Sequence, residues 1–122
     1  MTGTYFFDTY AIIDILKGNS AYDEYKNAEI VLTIFNLIEL HYKILNEFDE
    51  KLAREMLEKY SKFKVEINLD IIEESNKFKK IHKKRKMSVP DVIGYIMAKK
   101  LGIKFLTGDK EFENFDNVEF VK

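Results

Sequence analysis

Thr4-Tyr5-Phe6-Phe7-Asp8-Thr9 decides how the chain is read. Thr4–Phe7 is a short aromatic, β-prone run, and Asp8-Thr9 supplies the residue types that start helices. Ala11, Ile12, Ile13, Ile15 and Leu16 continue as a helix, and Gly18-Asn19 ends it. A strand that passes into a helix through a single acid is the opening of an α/β unit. The rest of the chain keeps the alternation. A short helix is expected over Ala21–Lys26, a strand over Glu29–Leu32 and a helix over Thr33–Leu45. Asp49–Phe63 reads as a charged amphipathic helix with Leu52, Met56 and Tyr60 on one face. Lys64–Ile67 reads as a short strand, Asp70–Lys86 as a helix, and Ser88-Val89-Pro90-Asp91 as the start of a helix that reaches Leu101 and stops at Gly102. Ile103–Leu106 and Val118–Val121 are the last strands.

Strands separated by helices pair in parallel through crossovers. The expected fold is therefore α/β: a three-layer α/β/α sandwich around a central, mainly parallel sheet of about four to five strands. With 122 residues and no linker or low-complexity tract, one domain over 1–122 is expected. Function in such sheets gathers beyond the carboxyl ends of the strands. Asp8 and Asp109 fall at such ends.

Composition removes several chemistries. There is no cysteine, so disulfides, Cys-ligated zinc and thiol nucleophiles are excluded. His41 and His82 are too few for a His-rich zinc site and a poor start for a Ser-His-Asp triad. The formal net charge is −1, so any contact with phosphate has to be local. No apolar run approaches the roughly 18 residues of a membrane span. The N-terminus lacks a basic region and Asp8 breaks its apolar run, against a signal peptide, so a cytoplasmic protein is expected.

Four acids stand at the edges of these elements: Asp8, Glu39, Asp91 and Asp109. Each has a structural explanation on its own. Asp8 is a natural helix cap, Ser88-x-x-Asp91 is a variant capping box, and Asp109 follows Gly108 in a turn. Glu39 is spaced to pair with Lys43 at i, i+4. Together they are harder to dismiss, because carboxylates in apolar settings are costly unless a cation holds them. Glu39 interrupts a helix that is apolar almost all round (Ile34, Phe35, Leu37, Ile38, Leu40, Tyr42, Ile44, Leu45), which reads as buried on most faces. A hard divalent cation is the partner such an oxygen set prefers, and a metal-dependent phosphodiesterase is the chemistry it implies.

Phe6-Phe7-Asp8-Thr9, Asn36-Leu37-Ile38-Glu39-Leu40, Ser88-Val89-Pro90-Asp91-Val92-Ile93 and Leu106-Thr107-Gly108-Asp109-Lys110-Glu111-Phe112 resemble the four acidic motifs of PIN-domain ribonucleases, in order and over essentially the whole chain. VapC-like toxins of toxin–antitoxin pairs are the relatives this resemblance points to. It implies a Mg²⁺- or Mn²⁺-dependent endoribonuclease, a cognate antitoxin and a homodimer, with Asp8, Glu39, Asp91 and Asp109 as the catalytic, metal-holding acids. Thr9, Thr107, Asn36 and Glu111 would support them. Tyr10 departs from the small or polar residue often found at its place, and Gly94 from an alanine. The basic run Lys77, Lys79, Lys80, Lys83, Lys84, Arg85 and Lys86 leads into the Asp91 motif and reads either as an RNA-phosphate rim or as a solvated helix surface. His82 is read as a surface residue of the same helix. The apolar residues of Asp49–Phe63 are read as sheet packing rather than a partner surface.

Three other functions compete. One is a PIN nuclease acting in RNA processing rather than as a toxin. A non-catalytic PIN-like module binding RNA or protein would be favoured by loss of an acid, and all four are present. A receiver-type phospho-acceptor domain would need an acidic pair after its first strand and the phospho-acceptor after its third, and the segment after Lys64–Ile67 offers only Asp70, at a helix cap.

Overall fold

The computed structural model describes residues 3–121; Met1, Thr2 and Lys122, the outer limits of the domain expected over 1–122, lie outside the described residues. The elements run β1 (Thr4–Phe7), α1 (Thr9–Leu16), a 3₁₀ turn (Ser20–Tyr25), β2 (Glu29–Val31), α2 (Ile34–Glu47), α3 (Glu50–Ser61), α4 (Leu69–Ile81), α5 (Val89–Leu101), β3 (Lys104–Thr107), a 3₁₀ turn (Lys110–Phe112) and β4 (Val118–Phe120). The four strands form one sheet in the order β2-β1-β3-β4, parallel throughout. The chain thus leaves β1 toward β2 on one side and returns to β3 on the other, and the strand order reverses between β1 and β3. Such a reversal opens a crevice at the carboxyl ends of the two strands.

The pleat sorts the core. Phe7 and Leu106 point to one face, where they join α1, α2 and α3 through Ile12, Leu37, Leu40, Ile44, Ala53 and Tyr60. Phe6 and Phe105 point to the other, against α4 and α5, where Tyr95 and Phe112 build an aromatic cluster. The two layers of helices on the sheet are the expected three-layer sandwich. Gly94 brings α5 down onto the strands: a Cβ there would stand 2.7 Å from Phe6 Cε1 and 3.0 Å from Phe105 Cε1. Gly102 ends α5 in the left-handed conformation, φ 72°. No helix among the described residues is long and apolar enough to cross a membrane.

Several sequence expectations need correction. Lys64–Ile67 forms no strand; Lys64 makes one parallel bridge to Leu32, and Val65 and Ile67 are held by their side chains in the core instead. The helix expected to reach Lys86 ends at Ile81. His82 turns inward as its C-cap and lies against Phe78 and Phe115, with ring centroids 4.4 and 5.1 Å away, so it is half-buried rather than a surface residue. Finally, α2 is not buried on most faces. Leu37, Leu40 and Ile44 fill the core, while Ile34, Phe35, Ile38, Tyr42 and Leu45 form a stripe open to solvent. The apolar residues of α3 are packed through Leu52, Ala53, Met56, Leu57 and Tyr60, but chiefly against α2 rather than against the sheet as expected.

Candidate functional site

Asp8 leaves β1 at the crevice and caps α1. Its Oδ1 accepts from the Tyr10 backbone N–H at 3.0 Å and its Oδ2 from the Thr107 hydroxyl at 2.6 Å. Thr107 ends β3, so this bond ties the two central strands together at their carboxyl ends. The same hydroxyl accepts from the Asp109 N–H at 3.0 Å and so shapes the turn that carries the next acid. Asp109 Oδ1 caps the 3₁₀ turn by accepting from the Glu111 N–H at 2.9 Å.

Glu39 arrives from α2. It accepts from the Thr9 hydroxyl at 2.9 Å and makes no ion pair with Lys43, whose Nζ donates to the Tyr10 hydroxyl at 3.1 Å instead. Thr9 in turn accepts from Asn36 Nδ2 at 3.2 Å. Asn36 Oδ1 accepts from the Thr33 N–H at 2.9 Å, closing a capping box at the start of α2. One chain of hydrogen bonds therefore runs from the α2 cap through Asn36 and Thr9 to the Glu39 carboxylate. Asp91 comes from the first turn of α5, where its N–H donates to the capping Ser88 hydroxyl at 3.2 Å.

The four acids are brought to one end of the sheet, near enough to feel one another's charge. Burial pushes Asp8 up to about 6; the Thr107 and Tyr10 hydrogen bonds pull it back, and the charges of Glu39 and Asp109 add to the rise. Burial likewise pushes Asp91 up to about 7, reinforced by Asp8, eased by the Ser88 hydroxyl, and raised further by Glu39 and Asp109. Burial and one another's charge thus drive two acids toward neutrality at one end of the sheet. Among the described residues, no three His, Cys, Asp or Glu side chains stand ready to grip one ion as they are. The donor set fits a hard divalent ion in its chemistry. Glu39, Asp91 and Asp109 are half-buried around the buried Asp8.

The supporting residues divide. Thr9, Thr107 and Asn36 hold the acids directly, whereas Glu111 contributes its backbone: its N–H goes to Asp109 and its carbonyl accepts from Arg85 Nη1 at 2.7 Å. Arg85 also lies over the Phe115 ring at 4.6 Å, so it is a brace for the turn rather than a free cation. Lys80, Lys83, Lys84 and Lys86 are exposed and Lys79 is half-buried. None of these lysines makes a salt bridge among the described residues.

Sequence reasoning missed the ground beside the acids. A cleft of about 510 Å³ is lined by Tyr10, Asp14, Tyr22, Gly108, Asp109 and Lys110. Burial, then the charges of Asp14 and Asp8, push the Tyr22 phenol up to about 12, so it stays protonated at neutral pH. One signal was present: Asp14 is the sole charged residue of α1, set in an apolar run as Glu39 is in α2.

A parallel sheet with four carboxylates gathered at its switch point defines the class: an α/β domain with an acidic pocket. The PIN domain family matches residues 5–118, and the chain belongs to it; its members are nucleases. No curated protein matches the chain in sequence. Among solved structures it is similar to a toxin–antitoxin complex from Klebsiella pneumoniae, with TM-score 0.70 and 22% identity over 94% of this chain and 95% of that one. It is also similar to VapBC2 from Rickettsia felis bound to a DNA fragment from their promoter, with TM-score 0.67 and 16% identity over 100% of both chains. At these identities the likeness is one of fold.

Proposed function

We propose that the chain is a divalent-metal-dependent endoribonuclease that hydrolyses RNA phosphodiester bonds, a VapC-like toxin held inactive by a cognate antitoxin and acting as a homodimer. The observation that carries the reading is the meeting of Asp8, Glu39, Asp91 and Asp109 at the β1–β3 crevice of a PIN domain, with Asp8 and Asp91 both driven toward neutrality. These four would hold Mg²⁺ or Mn²⁺, which when bound supplies charge neutralisation and Lewis acidity at a phosphodiester. The chain's own residues do the positioning. Thr107 and the Tyr10 N–H fix both oxygens of Asp8, and Asn36 and Thr9 fix Glu39, so part of the pocket is organised before substrate arrives. The exposed lysines Lys80, Lys83, Lys84 and Lys86, with Lys79, supply cations toward a polyanion that the acidic pocket alone would repel.

The toxin reading draws on the fold likeness to toxin–antitoxin proteins and on the apolar outer stripe of α2, where Ile34, Phe35, Ile38, Tyr42 and Leu45 are open to solvent. The test is cleavage of labelled RNA oligonucleotides and total tRNA in Mg²⁺, Mn²⁺ or EDTA, beside Asp8→Asn purified in parallel. Cutting that needs metal and disappears in Asp8→Asn is the expected result. Cutting that survives EDTA or is equal in the variant overturns it.

A further inference from the structure

The cleft beside the acids has the makings of a recognition site. Tyr22 is only 2% exposed, yet its hydroxyl reaches the cleft at Gly108, where a Cβ would stand 2.9 Å from it. A side chain at Gly108 would crowd that hydroxyl and also the Val121 carbonyl oxygen, 3.0 Å from the same Cβ position. Tyr25 and Tyr95 bond their hydroxyls to Glu119 at 2.5 Å and Asp116 at 2.6 Å; the Tyr22 hydroxyl has no such partner among the described residues. Asp14, half-buried on the same wall, also has neither an ion pair nor a side-chain hydrogen bond among them. Tyr10 is 56% exposed at the cleft mouth, and Lys43 steadies it from the α2 side, 4.5 Å from the ring centroid. A polar hydroxyl and a carboxylate waiting in a cleft of about 510 Å³, beneath an open aromatic ring, match a planar ligand with a hydrogen-bonding edge.

We propose that this cleft is a base-specificity subsite, which takes the guanine of a nucleotide next to the phosphate held at the carboxylates. The inference rests on the ribonuclease reading above and narrows its substrate. An ionised carboxylate only accepts hydrogen bonds. Guanine alone offers two adjacent donors, N1–H and the 2-amino group, along its Watson–Crick edge. Adenine, cytosine and uracil would each turn an acceptor toward Asp14 and leave it facing a lone pair. The Tyr22 hydroxyl donates to the O6 acceptor of the same edge, and Tyr10 stacks on the base. Lys110 lines both this cleft and the one beyond it, with Glu113 and Phe120, and so follows the strand as it leaves.

The test reads binding apart from cutting. Dye-labelled uridine-rich RNA hexamers with a single guanosine, inosine or adenosine are titrated by fluorescence anisotropy in Ca²⁺, a hard divalent ion that prefers oxygen ligands. Guanosine is expected to bind about 10-fold tighter than inosine, which lacks only the 2-amino group. Asp14→Asn should erase that preference, and Tyr10→Ala should weaken all three by roughly 10-fold without changing their order. Equal binding of guanosine and inosine to the native chain overturns the subsite, whatever the variants do; so does a preference that survives Asp14→Asn. Repeating the series in Mn²⁺ separates the two readings. Guanosine preference without cutting sinks the nuclease and keeps the subsite, and cutting indifferent to guanosine does the reverse.

Discussion

α2 and α5 each deliver one carboxylate to the same edge of the sheet, from opposite faces, and they are built on different terms. In α5 every residue from Val92 to Ala98 is buried, and Gly94 lets the helix sit directly on Phe6 and Phe105. In α2 the inner face is filled by Leu37, Leu40 and Ile44, and the outer face leaves Ile38 59% and Tyr42 63% exposed. An apolar sequence therefore does not by itself say that a helix is central. α5 is apolar because it is surrounded; α2 is apolar beyond what the fold uses, and the surplus is available to a partner. The acid on α5 stands half-buried on a helix start that Ser88 caps and the core layer holds, whereas the acid on α2 is itself held by the Asn36–Thr9 chain.

The largest effect should come from the acids. Asp91→Asn is expected to lower RNA cleavage on the order of 1,000-fold, and Glu39→Gln, which keeps the Thr9 contact through its amide oxygen, on the order of 100-fold. Single-turnover rates decide it, and equal losses would break the contrast between the helices. Stability comes next. Ile93→Ala in α5 should cost about 2–5 kcal/mol, while Ile38→Ala in α2 should stay within about 0.5 kcal/mol, by urea denaturation. A costly Ile38→Ala would mean that the α2 stripe is packed in the free protein. Gly94→Ala should cost about 1–3 kcal/mol by overpacking, and Phe6→Leu beside it should recover part of that.

The pH dependence is the smallest effect and carries a definite sign. Asp8 and Asp91 are raised from 3.8 to about 6 and about 7 in the fold, so the folded state holds more protons than the unfolded one between those values. Their favourable contribution is full below the unfolded value and is lost as pH rises through the folded ones. Without metal, the melting temperature should fall by a few degrees between pH 5 and pH 8, an effect on the order of 2 kcal/mol once the shared repulsion is counted only once. Asp91→Asn should flatten this slope, and Mn²⁺ at pH 8 should restore the lost degrees.

Most of the fold could be read from residues that act locally. Thr4–Phe7, Ile103–Leu106 and the Ser88 and Asp8 caps declare themselves within a few positions, and with them the acids at the strand ends. What escaped depends on distant contacts. Lys64–Ile67 has a strand's alternation, but its pairing stops at one bridge to Leu32, and beyond it the side chains of Val65 and Ile67 set its path. The helix over Asp70–Lys86 stops early because Phe115 draws in His82 and Arg85 from the far end of the chain. The cleft at Asp14 and Tyr22 exists only because the fold brings them to Gly108, nearly the whole chain away.

The most direct test of the account is a Mn²⁺ titration of the metal-free protein near pH 6.5, following bound ion and released proton together, with Asp8→Asn alongside. Binding in the native chain, with proton release as Asp8 and Asp91 give up their raised pKa values, and loss of both signals in the variant, is the predicted result. Absence of Mn²⁺ binding, or binding that Asp8→Asn leaves unchanged, would contradict a divalent-metal site at these four acids.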